Sequence, residues 1–142
     1  MGKLSMGLHD QVFVTTVRVL YGDTDAGGVV YNGTYLRYFE QGRGELMREV
    51  GLSYKHLEDL GYILPLVESY VRYKAPARYD DLLTIKTCMT QVSPFSCRFH
   101  CHIYCNDTLL VKGFTKHASI QRDGKLKALP KEYLNKLQGL CL

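Results

Sequence analysis

Residues 21–50 read YGDTDAGGVVYNGTYLRYFEQGRGELMREV, and this stretch decides the fold. Its first third is dense in Gly and Asp, the composition of a loop, and carries two carboxylates, Asp23 and Asp25, two residues apart. From about Gly33 to Val50 the spacing predicts a helix. Leu36, Phe39, Arg43, Leu46, Met47 and Val50 fall on one stripe at the 3.6-residue period. Asn32 is placed to cap its start and Gly51 to end it. At 1.5 Å per residue such a helix is roughly 27 Å long, enough to cross a small sheet.

Two features of the helix ask for a tertiary reason. Gly42 and Gly44 each cost about 1 kcal/mol relative to Ala in a helix interior, which points to close approach of a sheet. Arg43 sits in the middle of the apolar stripe, where an unpaired guanidinium is expensive. A carboxylate partner is expected for it, from among Glu40, Asp23, Glu68 and Asp81.

Working outward, residues 12–21 (VFVTTVRVLY) are rich in β-branched side chains and predict a strand, preceded by a loose lead-in over 1–10. After the long helix, a short one is expected from the cap Ser53 to Leu60, closed by Gly61. Strands follow at about 63–74, 82–92, 96–106 and 109–121, separated by APARYDD, VSP, ND and RDG, each with turn chemistry. PKEYLNKL begins with Pro at a helix start and predicts one peripheral turn. No linker or repeat divides the chain, so residues 1–142 are expected to form one domain. Without βαβ alternation the sheet is expected to be antiparallel with its helices on one side, an α+β fold.

Composition narrows the class of protein. Apolar residues make up 46% and charged residues 23% of 142, and no window approaches the ~18 consecutive apolar residues of a spanning helix. The start, MGKLSMGLHD, lacks the apolar core of a secretory signal, so a cytoplasmic location is expected. The five cysteines have no framework spacing. Cys97, Cys101 and Cys105 alternate with Arg98, His100, His102 and Tyr104 in the period-two manner of a half-buried strand, which predicts reduced, buried thiols. The net charge of +4 suits a polyanionic ligand. Its cations are scattered, with Arg72, Lys74 and Arg78 the nearest to a patch, so nucleic acid is not an expected partner.

The loop carries the chemistry. A carboxylate two residues before glycines, followed by a helix N-terminus, sets an acid or nucleophile beside unpaired backbone N–H groups. Glycine lets that backbone approach a ligand. Hydrolysis of a thioester needs this pair: a group that attacks or activates water, and donors for the developing oxyanion. Turns and helix caps alone also enrich Asp and Gly. Asp-x-Asp without further acidic ligands is a poor metal site, and no metal or cofactor is expected.

GDTDAGGVVYNGTYLRYFEQGRGE followed by YKAPARYDDLLTI resembles the YbgC-type acyl-CoA thioesterases of the 4-hydroxybenzoyl-CoA thioesterase group. The likeness runs over roughly residues 12–130. It implies the hotdog fold, a long central helix wrapped by a curved antiparallel sheet of five to six strands. It also implies hydrolysis of acyl-CoA or acyl-carrier-protein thioesters. On this resemblance Asp25 is the catalytic carboxylate, as nucleophile through a mixed anhydride or as the base for water. The backbone N–H of Asn32 is the oxyanion donor. Asp23 is expected to orient the loop or pair with Arg43. Tyr31, Leu64, Pro65 and Phe39 are the candidate substrate contacts, with Tyr35 near the same space, in a pocket between the helix and ILPLVES. The family's sheets join edge to edge, which implies a homodimer or homotetramer.

The sequence departs from the family pattern twice. Many such proteins carry His where this chain has Asn32; a backbone donor survives that exchange, but an imidazole's proton transfer does not. Where the 4-hydroxybenzoyl-CoA enzymes have a basic cluster for the nucleotide phosphate, this chain has Ser93-Pro94-Phe95. Arg78, Arg98 and Lys112 are the replacement candidates for coenzyme A. The competing readings are a non-catalytic acyl- or CoA-binding module and a partner protein of a lipid-synthesis or envelope assembly. Dehydration by a His–carboxylate pair ranks low, since no His lies in the loop.

Overall fold

In the computed structural model, which describes residues 11–141, the predicted strands assemble into one five-stranded antiparallel sheet. The lead-in expected at 1–10 lies outside the described residues. The strands are β1 (Phe13–Arg18), β3 (Leu66–Tyr73), β4 (Leu82–Ser93), β5 (Ser96–Cys105) and β6 (Thr108–Ala118), in the order β1-β4-β5-β6-β3. A two-residue ladder joins β2 (Tyr62–Ile63) to β7 (Ile120–Gln121). The predicted strand 63–74 is therefore two pieces, divided at Leu64-Pro65. Proline has no N–H to continue the ladder, which accounts for the break.

One face of the sheet receives α1 (Thr34–Glu49). Alternation decides which side chains meet it: Cys97, Phe99, Cys101 and Ile103 of β5 are buried beneath the helix side, as the period of two predicts. Phe39 and Tyr38 of α1 are wholly buried in that core with Ile85, Ile103 and Val111. Full burial of a side chain such as Phe39 contributes about 1.5–3 kcal/mol. The thiols of Cys97 and Cys101 are pushed up to about 12 by burial, so they act as small apolar groups.

Gly42 has the expected cause. A Cβ there would stand 2.3 Å from Thr87 Oγ1 and 2.9 Å from Ile85 Cγ2, so the helix backbone lies directly on β4. Gly44 does not share it; a Cβ there would meet only the flexible Arg48 of the same helix, at 3.2 Å. Gly51, at φ +76°, closes α1 with the paired bonds Gly51 N–H to Arg48 and Leu52 N–H to Met47, a Schellman ending. Ser53 then caps α2 (Tyr54–Asp59) through His56 N–H at 3.2 Å.

The C-terminal segment is more than the single peripheral turn expected. α3 (Lys131–Leu140) begins after Pro130 and buries Tyr133 and Leu137 against Met89, Cys97 and Phe99. Among the described residues no helix is long and apolar enough to cross a membrane.

Candidate active site

The loop between β1 and α1 is a small hairpin with a carboxylate at its tip. The Asp25 N–H donates to the Val29 carbonyl at 2.9 Å, and the Gly28 N–H returns to the Asp25 carbonyl at 3.0 Å. Gly28 has φ +78°, a conformation costly for other residues. Asp25 Oδ1 accepts the Gly27 N–H at 2.8 Å, while Oδ2 has no partner among the described residues. The carboxylate is therefore aimed by one bond and stands exposed.

Asp23 has the opposite environment. It is 5% exposed, and its Oδ2 accepts both the Leu20 N–H and the Tyr38 hydroxyl at 2.9 Å, with Arg37 on Oδ1. Burial works against its charge, but the Leu20, Tyr38 and Arg37 donors together hold the carboxyl below the usual carboxylate range. Its carbonyl accepts Tyr31 N–H at 2.9 Å, which ties the loop to the start of α1. Asp23 is thus a brace for the loop. Its pairing with Arg43, one of the expected options, does not occur: Arg37 and Tyr38 occupy it.

Among the described residues Arg43 meets no carboxylate. Its Nη1 donates to Thr115 Oγ1 at 3.3 Å, and its Nε is buried without a partner. Thr115 also meets His117 Nε2 at 3.0 Å, and His117 Nδ1 lies 3.0 Å from the Leu64 carbonyl. Burial, then the Arg43 charge, pushes His117 down to about 4, so it is neutral near pH 7. Burial lowers His100 to about 4 as well. Because both folded values lie below the ordinary 6.5, the unfolded chain binds the extra protons. Their stability contribution is full above pH 6.5 and falls as pH drops toward 4, by about 2 kcal/mol from His117. Asp23 adds its own loss only below its ordinary 3.8. Thermal unfolding should therefore show Tm falling between pH 6.5 and 4.5; a flat profile there would mean water reaches both rings.

At the start of α1 the N-cap is Gly33, and Asn32 makes no side-chain capping bond. The expected cap is displaced by one residue: the Thr34 N–H closes a turn onto the Tyr31 carbonyl at 2.9 Å, and Gly33 takes the cap position. Among the described residues nothing accepts the Asn32 N–H, and its carbonyl receives the Tyr73 hydroxyl at 2.9 Å. A cavity of about 310 Å³ opens here, lined by Val29, Asn32, Tyr35, Tyr73, Lys74 and Pro76 among others. Tyr31 stands beside it, 54% exposed.

The remaining candidates separate. Arg78 lies next to the loop, bridged to Val29, in the segment that also ties Val30 N–H to Ala77 at 2.9 Å. Arg98 and Lys112 are on the face of the sheet turned away from α1, since their neighbours Phe99 and Gly113 face the helix. Arg98 covers the Phe114 ring at 4.5 Å there. Leu64 lines a second groove along α1, but Pro65 does not, and Phe39 is fully buried in the core. Three contacts were not read from the sequence: Arg37 and Tyr38 on Asp23, and Tyr73 on Asn32. Tyr73 is 41 residues from its partner, and no local signal announces it.

The family model described as the thioesterase-like superfamily matches residues 19–137, which takes in the loop, α1 and every strand of the main sheet except β1. The YbgC acyl-CoA thioesterase of Haemophilus influenzae is 35% identical over 128 residues, covering 87% of this chain and 92% of its own length. A crystal structure of a hypothetical protein from Aquifex aeolicus, 35% identical, superposes with a TM-score of 0.84 over 88% of this chain and 98% of that one. The 1,4-dihydroxy-2-naphthoyl-CoA thioesterase of Synechocystis, 26% identical, superposes at 0.82 over 91% and 97%. A five-stranded antiparallel sheet laid over a long helix is thus shared with proteins named as acyl-CoA thioesterases. This chain belongs to the thioesterase-like superfamily of hotdog proteins, alongside the YbgC-type acyl-CoA thioesterases.

Proposed function

We propose that this chain hydrolyses the thioester with Asp25 as the catalytic carboxylate and the Asn32 N–H as the oxyanion donor. The observation that carries the reading is an exposed, singly anchored carboxylate on the loop whose Val29 and Asn32 line the cavity, Asp25 being tied to Val29 by its backbone N–H and Asn32 presenting an unaccepted N–H. A carbonyl bound there would place its developing charge on Asn32 at a helix start, where the backbone dipoles favour it. Two routes use the same atoms. In one, Asp25 attacks the carbonyl carbon, the thiolate leaves, and water cleaves the resulting anhydride. In the other, Asp25 takes a proton from the water that attacks. A single turnover in ¹⁸O-water separates them, because only the anhydride route can carry the label into the Asp25 carboxylate.

On this reading the phosphates of coenzyme A would be met by Lys74, which lines the cavity wall, and Arg78, which is bridged to Val29. Pairing of β3 with a second copy would cover an edge on which Leu66, Val67 and Tyr73 are each about half exposed. We therefore expect a homodimer at least, checked by sedimentation.

The direct test is thiol release from acyl-CoAs of graded length, from a benzoyl set, and from acyl carrier protein. Release from any of them supports catalysis; saturable binding without release would instead make the chain an acyl-binding module. Tyr73→Phe should lower kcat by ~10-fold with KM little changed, since it frees the Asn32 carbonyl and so loosens the residue that carries the donor N–H. An unchanged kcat would remove Tyr73 from the positioning role.

A further inference from the structure

A second groove leads away from the loop along α1. Its first part, about 470 Å³, opens between Leu36 and Arg43 on the helix and Leu64, Leu66 and His117 opposite. A further part, about 240 Å³, shares Arg43, Leu64 and His117 and ends on Tyr54 and Ile63. From Asn32 to Arg43 the helix advances by roughly 16 Å. The groove therefore starts one turn beyond the proposed oxyanion donor and runs in the direction an acyl chain bound there would take.

Its far end is polar in an unusual way. Among the described residues the buried Tyr54 hydroxyl has no partner in hydrogen-bond geometry, and neither has Arg43 Nε. Arg43 is close enough to act on Tyr54 both through its charge and as a nearby donor, but the two groups do not meet in hydrogen-bond geometry. Burial pushes the Tyr54 phenol upward, so it keeps its proton and acts as a donor. Among the described residues the acceptor in hydrogen-bond geometry with Arg43 is Thr115, which already serves His117. His117, engaged at both ring nitrogens and neutral, supplies no charge. Buried donors left unpaired are destabilising, and native proteins seldom keep them without a use.

The charges of the wall indicate what those donors meet. Glu40 and Glu58 line the same space, two acids against the one guanidinium of Arg43. A carboxylate-ended chain would be repelled, whereas an uncharged oxygen would satisfy the donors without that penalty. A plain alkyl chain would leave them unpaired.

We infer that the far end of this groove receives a hydroxyl or oxo oxygen carried by the acyl group, with Arg43 and the Tyr54 hydroxyl donating to it. The inference rests on the thioesterase reading for its route of entry, and it assigns Arg43 and Tyr54 to substrate choice rather than to bond cleavage. Sites built to hydrogen-bond a substrate oxygen discriminate strongly against the analogue that lacks it.

The test compares kcat/KM for decanoyl-, dodecanoyl- and tetradecanoyl-CoA with their ω-hydroxy and ω-carboxy counterparts, in the wild-type chain and in Tyr54→Phe. At the best chain length the wild type should favour the ω-hydroxy thioester over the alkyl one by ~10-fold or more, with the ω-carboxy one poorest. Tyr54→Phe should bring the hydroxy-to-alkyl ratio close to unity. This variant deletes an unpartnered buried hydroxyl, so it is expected to fold with an unchanged or higher Tm. Equal or better use of alkyl chains by the wild type, a preference for the ω-carboxy chain, or a ratio unmoved in Tyr54→Phe would each overturn the inference. If no thioester is cleaved at all, the hydrolytic reading fails by itself. Calorimetric binding of ω-hydroxydodecanoic and dodecanoic acids then decides the groove: tighter binding of the hydroxy acid, lost in Tyr54→Phe, supports it, and equal binding overturns it.

Discussion

Replacing Asp25 by Asn should reduce acyl-CoA hydrolysis by ~10²–10⁴-fold while leaving the fold intact. The expectation of intact structure follows from the bonds at the site. Asn keeps the Oδ1 that accepts the Gly27 N–H at 2.8 Å, and the backbone bonds that close the hairpin at Asp25 do not involve the side chain. Asp25 is exposed, so no buried charge is uncovered by the exchange. What is lost is the negative charge of Oδ2, and with it both the nucleophile and the base. A steady-state assay alongside a thermal melt checks this: turnover near the wild-type value with the same Tm would remove Asp25 from the chemistry. Loss of both activity and Tm would instead assign it to the fold.

Gly113→Ala should be the most damaging small substitution in the sheet, costing about 3 kcal/mol and lowering Tm by roughly 10 °C. Gly113 lies in β6 opposite Val71 of β3. A Cβ there would come 2.1 Å from the Tyr70 carbonyl oxygen and 3.0 Å from Phe39 Cε2. The first neighbour is backbone of an edge strand and cannot rotate aside, and the second is fully buried beneath α1. Accommodation requires β3 to shift, which would also move Tyr73 off Asn32 and disturb the edge proposed for the second copy. Activity should therefore fall with stability. Gly42→Ala is expected to be milder, because its obstacles, Thr87 Oγ1 at 2.3 Å and Ile85 Cγ2 at 2.9 Å, are side-chain atoms rather than backbone. A Gly113→Ala melt within a degree or two of wild type would show that the edge strand yields freely.

These two residues differ in how far they could be read beforehand. Asp25 lies in a loop whose composition and spacing suggest chemistry, and the family resemblance assigns it the role. Gly113 interrupts a strand pattern, TLLVKGFTKH, which signals close backbone approach without naming the strand that approaches. Gly42 was read correctly, as a helix glycine facing a sheet. Gly44 was not, because its relief comes from Arg48 one turn on in the same helix.

Charge pairing was the least legible feature. A carboxylate for Arg43 was expected on energetic grounds, yet the structure gives Asp23 to Arg37 and Tyr38 and leaves Arg43 with Thr115. All the candidate acids were present in the sequence, and only the rotation of α1 over the sheet selects among them. Arg98 and Lys112 illustrate the same point, since alternation shows that neighbours face opposite ways but not which face the helix will cover.

The sequence by itself determined the elements and the loop: strand alternation, the helix stripe, the Ser53 cap, the Gly51 ending and the Asp25 turn. Each depends on contacts within a few residues, where period and backbone freedom are decisive. Tertiary structure alone decided the brace on Asp23, the Tyr73 clasp on Asn32, and the groove ending on Arg43 and Tyr54. These join groups 14, 41 and 72 residues apart, for Arg37–Asp23, Tyr73–Asn32 and Arg43–Thr115. At such separations the partner is chosen by how the helix lies on the sheet. The carboxylate could be found by reading along the chain; what holds and surrounds it could not.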